Sequence, residues 1–398
     1  MNVLVLNCGS SSIKYKLFNM EAKTVLASGT IEKIGLKGSF LRFNDNKGNK
    51  IILEGEILEH QAGIEYILGV LTSEKYGCIS SLKEIDAVGH RVVHGGEQFN
   101  ESVLITDQVV AKVVECIDLA PLHNPPNLDG IYAVKELMGD IPQVAVFDTA
   151  FHQTMPASSF LYGLPYSLYE KYSLRRYGFH GTSHRYVSKR AADMLGIPYE
   201  NSKIISCHLG NGGSLCAVLN GKSMDTSMGM TPVEGLLMGT RCGDIDPGVV
   251  PYIMDKENIG TQAISTLINK HSGLLGISGV SSDMREVLAA ADEGNERAKL
   301  ALEVFIHKVK QYIGSYAAIM GGADIILFTG GIGENNSFLR QEVCAGLGFM
   351  GVEVDTAVND TIHGDEAVIS TDMSKVKVLV VPTDEEYMIA SDTMNIIR

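Results

Sequence analysis

Two stretches lying half a chain apart are built alike, and this repeat constrains the fold more than any other feature. The first holds the apolar run Val3-Leu4-Val5-Leu6, the polar turn Asn7-Cys8-Gly9-Ser10-Ser11-Ser12 and a second strand pattern from Ile13 to Phe18. The second holds Lys203-Ile204-Ile205-Ser206-Cys207, the turn His208-Leu209-Gly210-Asn211-Gly212-Gly213-Ser214, and Leu215 to Val218. Each then reaches another turn, Asn19-Met20-Glu21 in one and Leu219-Asn220-Gly221-Lys222 in the other, where Asn-Gly is a strong hairpin signal. Solenoid repeats recur every ~20–50 residues, so one recurrence across half of 398 residues points to two similarly built domains.

Between and after the hairpins, strands and helices alternate. Asp86 to Gly96 reads as a strand ending in a glycine turn, and Gln143 to Asp148 as a strand with an acid at its end. Residues 296–320 carry a long helical pattern stopped by Gly321-Gly322. A strand, Asp324 to Phe328, then enters the loop Thr329 to Asn335; a late strand, Val376 to Val381, precedes a terminal helix from Glu385 to Ile397. Such alternation predicts an α/β fold with ligands at the strand ends.

Charge narrows the partners. With 33 basic and 47 acidic residues the net charge is −14, a field that repels nucleic acid and anionic membranes. An anionic small substrate then needs a local Arg or Lys. No stretch approaches the ~18 uninterrupted apolar residues of a membrane span, and the start reads as a strand and not as a targeting segment. Seven scattered cysteines without a C-x-x-C pattern argue against a disulfide framework or structural zinc and fit a reducing cytoplasm. Glycine is abundant, 42 residues against an average of ~7%, and marks tight turns and close backbone approaches.

Several constellations carry chemistry. In Asn7 to Lys14, hydroxyls and turn N–H groups make a phosphate cradle and Lys14 adds a point charge; the same residues also make an ordinary hairpin turn. It is not a Walker loop, because G-x-x-x-x-G-K-[ST] is missing. In His90 to Gly96, Arg91 can grip a carboxylate through two parallel N–H groups, with Val93 on the same strand face. That pairing suits a ligand with one carboxylate and one small apolar end, although on these residues alone a surface arginine among core valines is the favoured reading. Asp148 closes an apolar strand, either serving a site or capping the next helix.

His180 and His184 stand four apart, but without the H-E-x-x-H pattern a zinc reading is weak, and His180 suits a transition-state donor. Arg241, set among glycines and acids, is a candidate arginine finger or a buried arginine tied to Asp244 or Asp246. The segment Thr329 to Asn335 lacks the dinucleotide spacing G-x-G-x-x-G, yet its glycines let a base or ribose approach the backbone. Asp384-Glu385-Glu386 opens the last helix, either as dipole partners or with one acid bound to Mg²⁺.

Taken together, Asn7 to Lys14, His90 to Gly96, Phe147 to His152, Phe179 to His184 and Phe328 to Asn335 resemble the signatures of the acetate kinase family from end to end. The resemblance implies two duplicated actin-like ATPase (ribonuclease H-like) α/β domains flanking a nucleotide cleft. Residues 1–150, completed by 385–398, would form the acetate side and 151–384 the nucleotide side. It implies Mg²⁺-dependent phosphoryl transfer from ATP to acetate, giving acetyl phosphate and ADP, with Mn²⁺ as a substitute metal, in a cytoplasmic homodimer. Carried over by residue, Asn7 and Glu385 would hold Mg²⁺ and Lys14 would contact the phosphates. Arg91 would bind the carboxylate, with Val93, Leu122, Phe179 and Pro232 around the methyl group. Asp148, His180 and Arg241 would be catalytic. His208, Leu209, Gly210, Asn211, Gly212, Asp283, Met284, Arg285, Gly331, Ile332, Gly333, Glu334 and Asn335 would line the nucleotide site. One departure is Asp384, where the family often has Asn. Acetate is already ionised at neutral pH, so Asp148 is expected to orient Arg91 or a metal-bound water and not to abstract a proton. Two rival readings are a propionate kinase on the same scaffold and a non-catalytic, actin-like ATP-binding module.

Overall fold

The structure, a computed structural model, describes residues 1–46 and 48–398. The chain divides into two compact units: Met1–Gln153 with Asp384–Arg398, and Thr154–Thr383.

Unit one is built on eight strands: β1 (Asn2–Cys8), β2 (Ser12–Asn19), β3 (Thr24–Glu32), β4 (Phe40–Asp45), β5 (Lys50–Glu54), β6 (Ala87–Val92), β7 (Val103–Leu104) and β8 (Gln143–Phe147). Their order is β5-β4-β3-β2-β1-β6-β8-β7. β1 pairs antiparallel with β2 and parallel with β6, which pairs parallel with β8. β1 is central and covered on both faces, which is why it is a continuous apolar run. Its residues divide between two cores. Leu4, Leu6 and Cys8 face a core that includes Ile64 and Ile67 of the helix His60–Leu71 and Ala133 and Val134 of the helix Asn124–Met138. Val3 and Val5 face Ile389 and Ala390 of the terminal helix Glu385–Ile397.

Unit two repeats the pattern with β9 (Lys203–Leu209), β10 (Gly213–Leu219), β11 (Lys222–Thr226), β12 (Ile325–Thr329), β13 (Ala367–Val368) and β14 (Lys377–Val380), ordered β11-β10-β9-β12-β14-β13. β11-β10-β9 is an antiparallel meander, and β9-β12-β14 run parallel. The equivalent strands of unit one, β3-β2-β1 and β1-β6-β8, have the same senses, so the hairpin repeat read in the sequence is a repeat of the sheet. This is the duplicated actin-like ATPase-type α/β fold.

The long helix forms as its sequence predicts. Asn295 caps it by accepting from Ala298 N–H at 3.0 Å, and Gly321, at φ +67°, ends it in a left-handed turn. Its buried face, Ala298, Ala301, Leu302, Phe305, Val309, Ile313, Tyr316, Ala317 and Met320, keeps helical spacing.

Two local expectations are corrected. Thr329 to Asn335 is not a loop: Gly330–Asn335 is a short helix, entered through Gly330 at φ +76°. A Cβ at Gly330 would lie 2.7 Å from the Leu209 carbonyl, so only glycine makes that turn. Val93 is not on a strand. β6 ends at Val92 because the Val93 N–H donates to Asn127 Oδ1 at 3.0 Å. Among the described residues, no helix is long and apolar enough to cross a membrane.

Candidate active site

In unit one the site is set by which face of the sheet each residue takes. Gly89 lies beside Val5 in register. A Cβ there would meet Thr393 Oγ1 at 2.5 Å and Ile389 Cγ2 at 2.7 Å, so the glycine lets the terminal helix lie directly on the sheet. Two residues further along each strand, Arg91 and Asn7 share that face. The helix starts beside them, and Glu385 is its first residue.

Arg91 is tied down from two sides. Its Nε and Nη2 donate to the two Asp148 oxygens at 3.1 and 2.5 Å, and its Nη1 donates to Asn7 Oδ1 at 3.2 Å. Asp148 does not cap a helix; its side chain is 2% exposed and serves the arginine. Burial works against the charge on Arg91, but the Asp148 and Glu385 carboxylates outweigh it and hold the guanidinium above its usual range. The Nε and Nη2 edge of the fork is therefore occupied by Asp148, and Nη1 is engaged by Asn7.

The three terminal acids separate cleanly. Asp384 caps the helix by accepting from Tyr387 N–H at 3.1 Å, and its other partner is Lys16 Nζ at 3.3 Å. Glu386 pairs with the same Lys16 at 3.1 Å. The Glu385 side chain makes no hydrogen bond among the described residues. Burial, and then the nearby Asp148 charge, push its carboxyl up to about 7. An acid raised by burial and a neighbouring anion is the group a cation would relieve. With Asn7 Oδ1 it offers hard oxygen donors, which fit Mg²⁺; that ion takes one or two carboxylates and completes its shell with phosphates and water. Lys14 is exposed on β2, opposite Asn7 in register. Val93 is 4% exposed, whereas Leu122 is 69% exposed on the turn before the helix Asn124–Met138.

In unit two, His180 sits at φ +58°, a strained conformation for a residue with a Cβ, at the start of the helix Gly181–Leu195. Its Nδ1 meets Ser214 Oγ at 2.9 Å, and the same hydroxyl meets His184 Nε2 at 2.8 Å. His184 Nδ1 in turn meets Ser206 Oγ at 2.8 Å, so that histidine orients its neighbour. His208 stacks on His180 with ring centroids 4.3 Å apart. Arg241 comes to the same place: a Cβ on Gly212 would lie 3.1 Å from Arg241 Nη1 and 4.0 Å from His180 Nε2.

Arg241 is not tied to an acid. Asp244 accepts instead from Gly235 N–H and Tyr312 Oη, both at 2.8 Å. Arg241 keeps only the Pro232 carbonyl at 3.5 Å and Met238 Sδ at 3.7 Å, and burial lowers its pKa. Among the described residues, no carboxylate pairs with it. Phe179 is 4% exposed and Pro232 half-buried.

Three further stretches converge on one cavity of about 630 Å³, within the usual size of a small-molecule site. Its lining includes Gly210 and Asn211, Asp283 to Arg285, and Gly331, Ile332 and Asn335. His208, Leu209, Gly212, Gly333 and Glu334 do not line it. Glu334 is a bracket: its Oε1 accepts from Gly330 N–H at 2.8 Å and Thr383 N–H at 3.1 Å. Asp283 caps the helix Met284–Asp292 and grips the exposed Arg285, whose hydrogen bonds hold the Asp283 carboxyl down at about 2.

The sequence reading missed the supports. Asn127 bonds both Val93 N–H and the Cys8 carbonyl, the latter at 2.7 Å, and Asn124 bonds His94 N–H and C=O. Both are buried; the signal was a pair of asparagines flanking Pro125-Pro126 where an apolar helix begins. Ser214 lay in the repeated turn but received no role.

The comparisons with known proteins agree along the whole chain. A family model described as the acetokinase family matches residues 2–391. The acetate kinase of Azobacteroides pseudotrichonymphae is 68% identical over 397 residues, covering 100% of each chain. The crystal structure of Porphyromonas gingivalis acetate kinase matches with a TM-score of 0.97 at 57% identity, covering 100% of both chains. That of a propionate kinase from Francisella tularensis matches with a TM-score of 0.92 at 43% identity, covering 99% of both.

Proposed function

The chain belongs to the acetokinase family, and on that footing we propose that it is an acetate kinase, transferring the γ-phosphoryl group of ATP directly and reversibly to acetate. The observation that carries the proposal is a contrast between two arginines. Arg91 is oriented by a buried acid and an asparagine oxygen at the strand end. Arg241 is half-buried and, among the described residues, pairs with no acid, beside a histidine whose Nδ1 is already engaged. A half-buried guanidinium without a carboxylate partner is costly unless an anion completes it, and a phosphoryl group in flight supplies one.

Roles follow from chemistry. Acetate meets the Nη1 and Nη2 edge of Arg91 and needs no base, so Asp148 positions Arg91. Val93, Leu122, Phe179 and Pro232 are assigned to the methyl end. Arg241 and the His180 imidazole neutralise charge on the equatorial oxygens of the transferring group. Lys14 attracts the phosphates, and the 630 Å³ cavity takes the adenosine end. When bound by Asn7 and Glu385, Mg²⁺ would offset phosphate charge, with Mn²⁺ as its substitute. A homodimer in the cytoplasm completes the reading.

The second reading, a propionate kinase, is favoured by the likeness to the Francisella tularensis protein. One methylene in an apolar pocket separates substrates by only ~1–3 kcal/mol. Initial rates with acetate, propionate and butyrate, trapping the acyl phosphate with hydroxylamine, test the proposal. We expect the highest kcat/KM with acetate. A higher value for propionate replaces the substrate, and no hydroxamate from any acid leaves a non-catalytic ATP-binding module.

A further inference from the structure

The segment Ser227 to Asp244 carries both Pro232 and Arg241 and contains no regular helix or strand. It is held instead by a knot of side chains around Glu234. Arg176 Nη2 donates to Glu234 Oε1 at 2.5 Å, and Tyr162 Oη donates to Glu234 Oε2 at 2.6 Å. Each partner also grips the segment's backbone. Arg176 Nη1 donates to the carbonyls of Thr226, Ser227 and Met228 at 2.7, 3.1 and 3.2 Å. Tyr162 Oη accepts from Met230 N–H at 2.9 Å.

The knot leaves no room for slack. A Cβ on Gly229 would lie 1.8 Å from Glu234 Oε2 and 2.4 Å from Tyr162 Oη. The Gly229 carbonyl accepts the N–H groups of Tyr177 and Gly178 at 3.2 and 3.1 Å. Those two residues lead straight into Phe179 and His180. The same few groups therefore fix the backbone on which His180 is strained and the segment from which Arg241 projects.

We propose that Glu234 is a positioning residue for phosphoryl transfer, tying the His180 and Arg241 segments to one frame through Arg176 and Tyr162; this rests on the transfer function given above. It touches neither the reacting atoms nor the cavity that takes the nucleotide, whose lining comes from other segments. Its loss should therefore act on the transition state and spare nucleotide binding. A glutamine has the same length, and its carbonyl can face Arg176 while its amide donates to Tyr162 Oη.

The test compares Glu234→Ala, Glu234→Gln and Tyr162→Phe with wild type in the hydroxamate assay, with ADP affinity measured by calorimetry. We expect kcat to fall at least tenfold in Glu234→Ala, with the KM for ATP and the Kd for ADP within about twofold. Glu234→Gln should recover kcat to within about threefold of wild type. If Glu234→Ala loses ADP binding through misfolding, Tyr162→Phe carries the test: it removes one hydroxyl and should lower kcat several-fold at unchanged ADP affinity. Normal kcat in a folded Glu234→Ala or Tyr162→Phe overturns the proposal. So does a glutamine variant as impaired as the alanine one. Failure of wild type itself to form hydroxamate would instead overturn the transfer function and, with it, this role.

Discussion

At Arg91 a planar fork has two tasks, and lysine can do neither fully. Its Nε and Nη2 hold the buried Asp148, and in the proposed function the rest of the fork meets the acetate carboxylate. Arg91→Lys keeps the charge and loses the geometry. The KM for acetate should rise about tenfold or more, the equivalent of ~1.4 kcal/mol, while the KM for ATP stays within about twofold. An unchanged acetate KM in initial-rate measurements would remove Arg91 from the acceptor site. Arg241 differs because, among the described residues, it has no acid to hold. Arg241→Ala should cut kcat by ~10³–10⁵, the range of arginine fingers, with far smaller changes in either KM. A variant with normal kcat and weak substrate binding would make Arg241 a binding residue only. Both arginines were visible in the sequence as isolated cations among apolar or glycine neighbours. What set them apart, Asp148 on one and no acid on the other, was not, because Asp148 is 57 residues from Arg91 and local spacing says nothing of such pairs.

Among the elements, the terminal helix is positioned by an absent side chain. Gly89→Ala would drive a methyl into Thr393 and Ile389, displacing the helix that begins with Glu385. Overpacking of this kind costs ~1–3 kcal/mol. We expect a lower melting temperature together with a higher Mg²⁺ concentration for half-maximal rate; a lower melting temperature at an unchanged Mg²⁺ requirement would separate the helix position from the metal. On the opposite face of β6, His90 is buried against Gln143 at 2.7 Å, and burial lowers its pKa to about 4. The unfolded chain binds that proton near pH ~6.5 and the folded chain only near 4. Stability from this group is thus present above pH ~6.5 and lost as pH falls toward 4, to a limit of about 3 kcal/mol. Urea midpoints followed across that window should lose part of their pH slope in His90→Gln; an identical slope would show that His90 is not the group responsible. The elements themselves were largely legible, because the apolar runs of β1 and β9 and the caps of the long helix are local signals. Val93 was misplaced for a non-local reason: Asn127, on a distant helix, takes the N–H that would have continued the ladder. The turn at Gly330 was misread because a short helix and a glycine loop share one composition.

For the molecule as a whole, the sequence already carried the duplication, since two hairpins of like pattern head two sheets of like strand order. Unseen were the brackets that turn motifs into a site: Glu334 across Gly330 and Thr383, Lys16 across Asp384 and Glu386, and Glu234 across Arg176 and Tyr162. Each joins residues that are distant in sequence, and each side chain alone looks like an ordinary surface charge. Lys16 also separates the three terminal acids, because it engages Asp384 and Glu386 and not Glu385, the acid proposed to hold the cation. The most direct test of the central claim follows phosphorus by NMR while the chain turns over ATP, acetate and Mg²⁺. We predict that the acetyl phosphate resonance grows in step with ADP and disappears when acetate is withheld. ADP formed with inorganic phosphate alone, at a rate indifferent to acetate, would contradict the account.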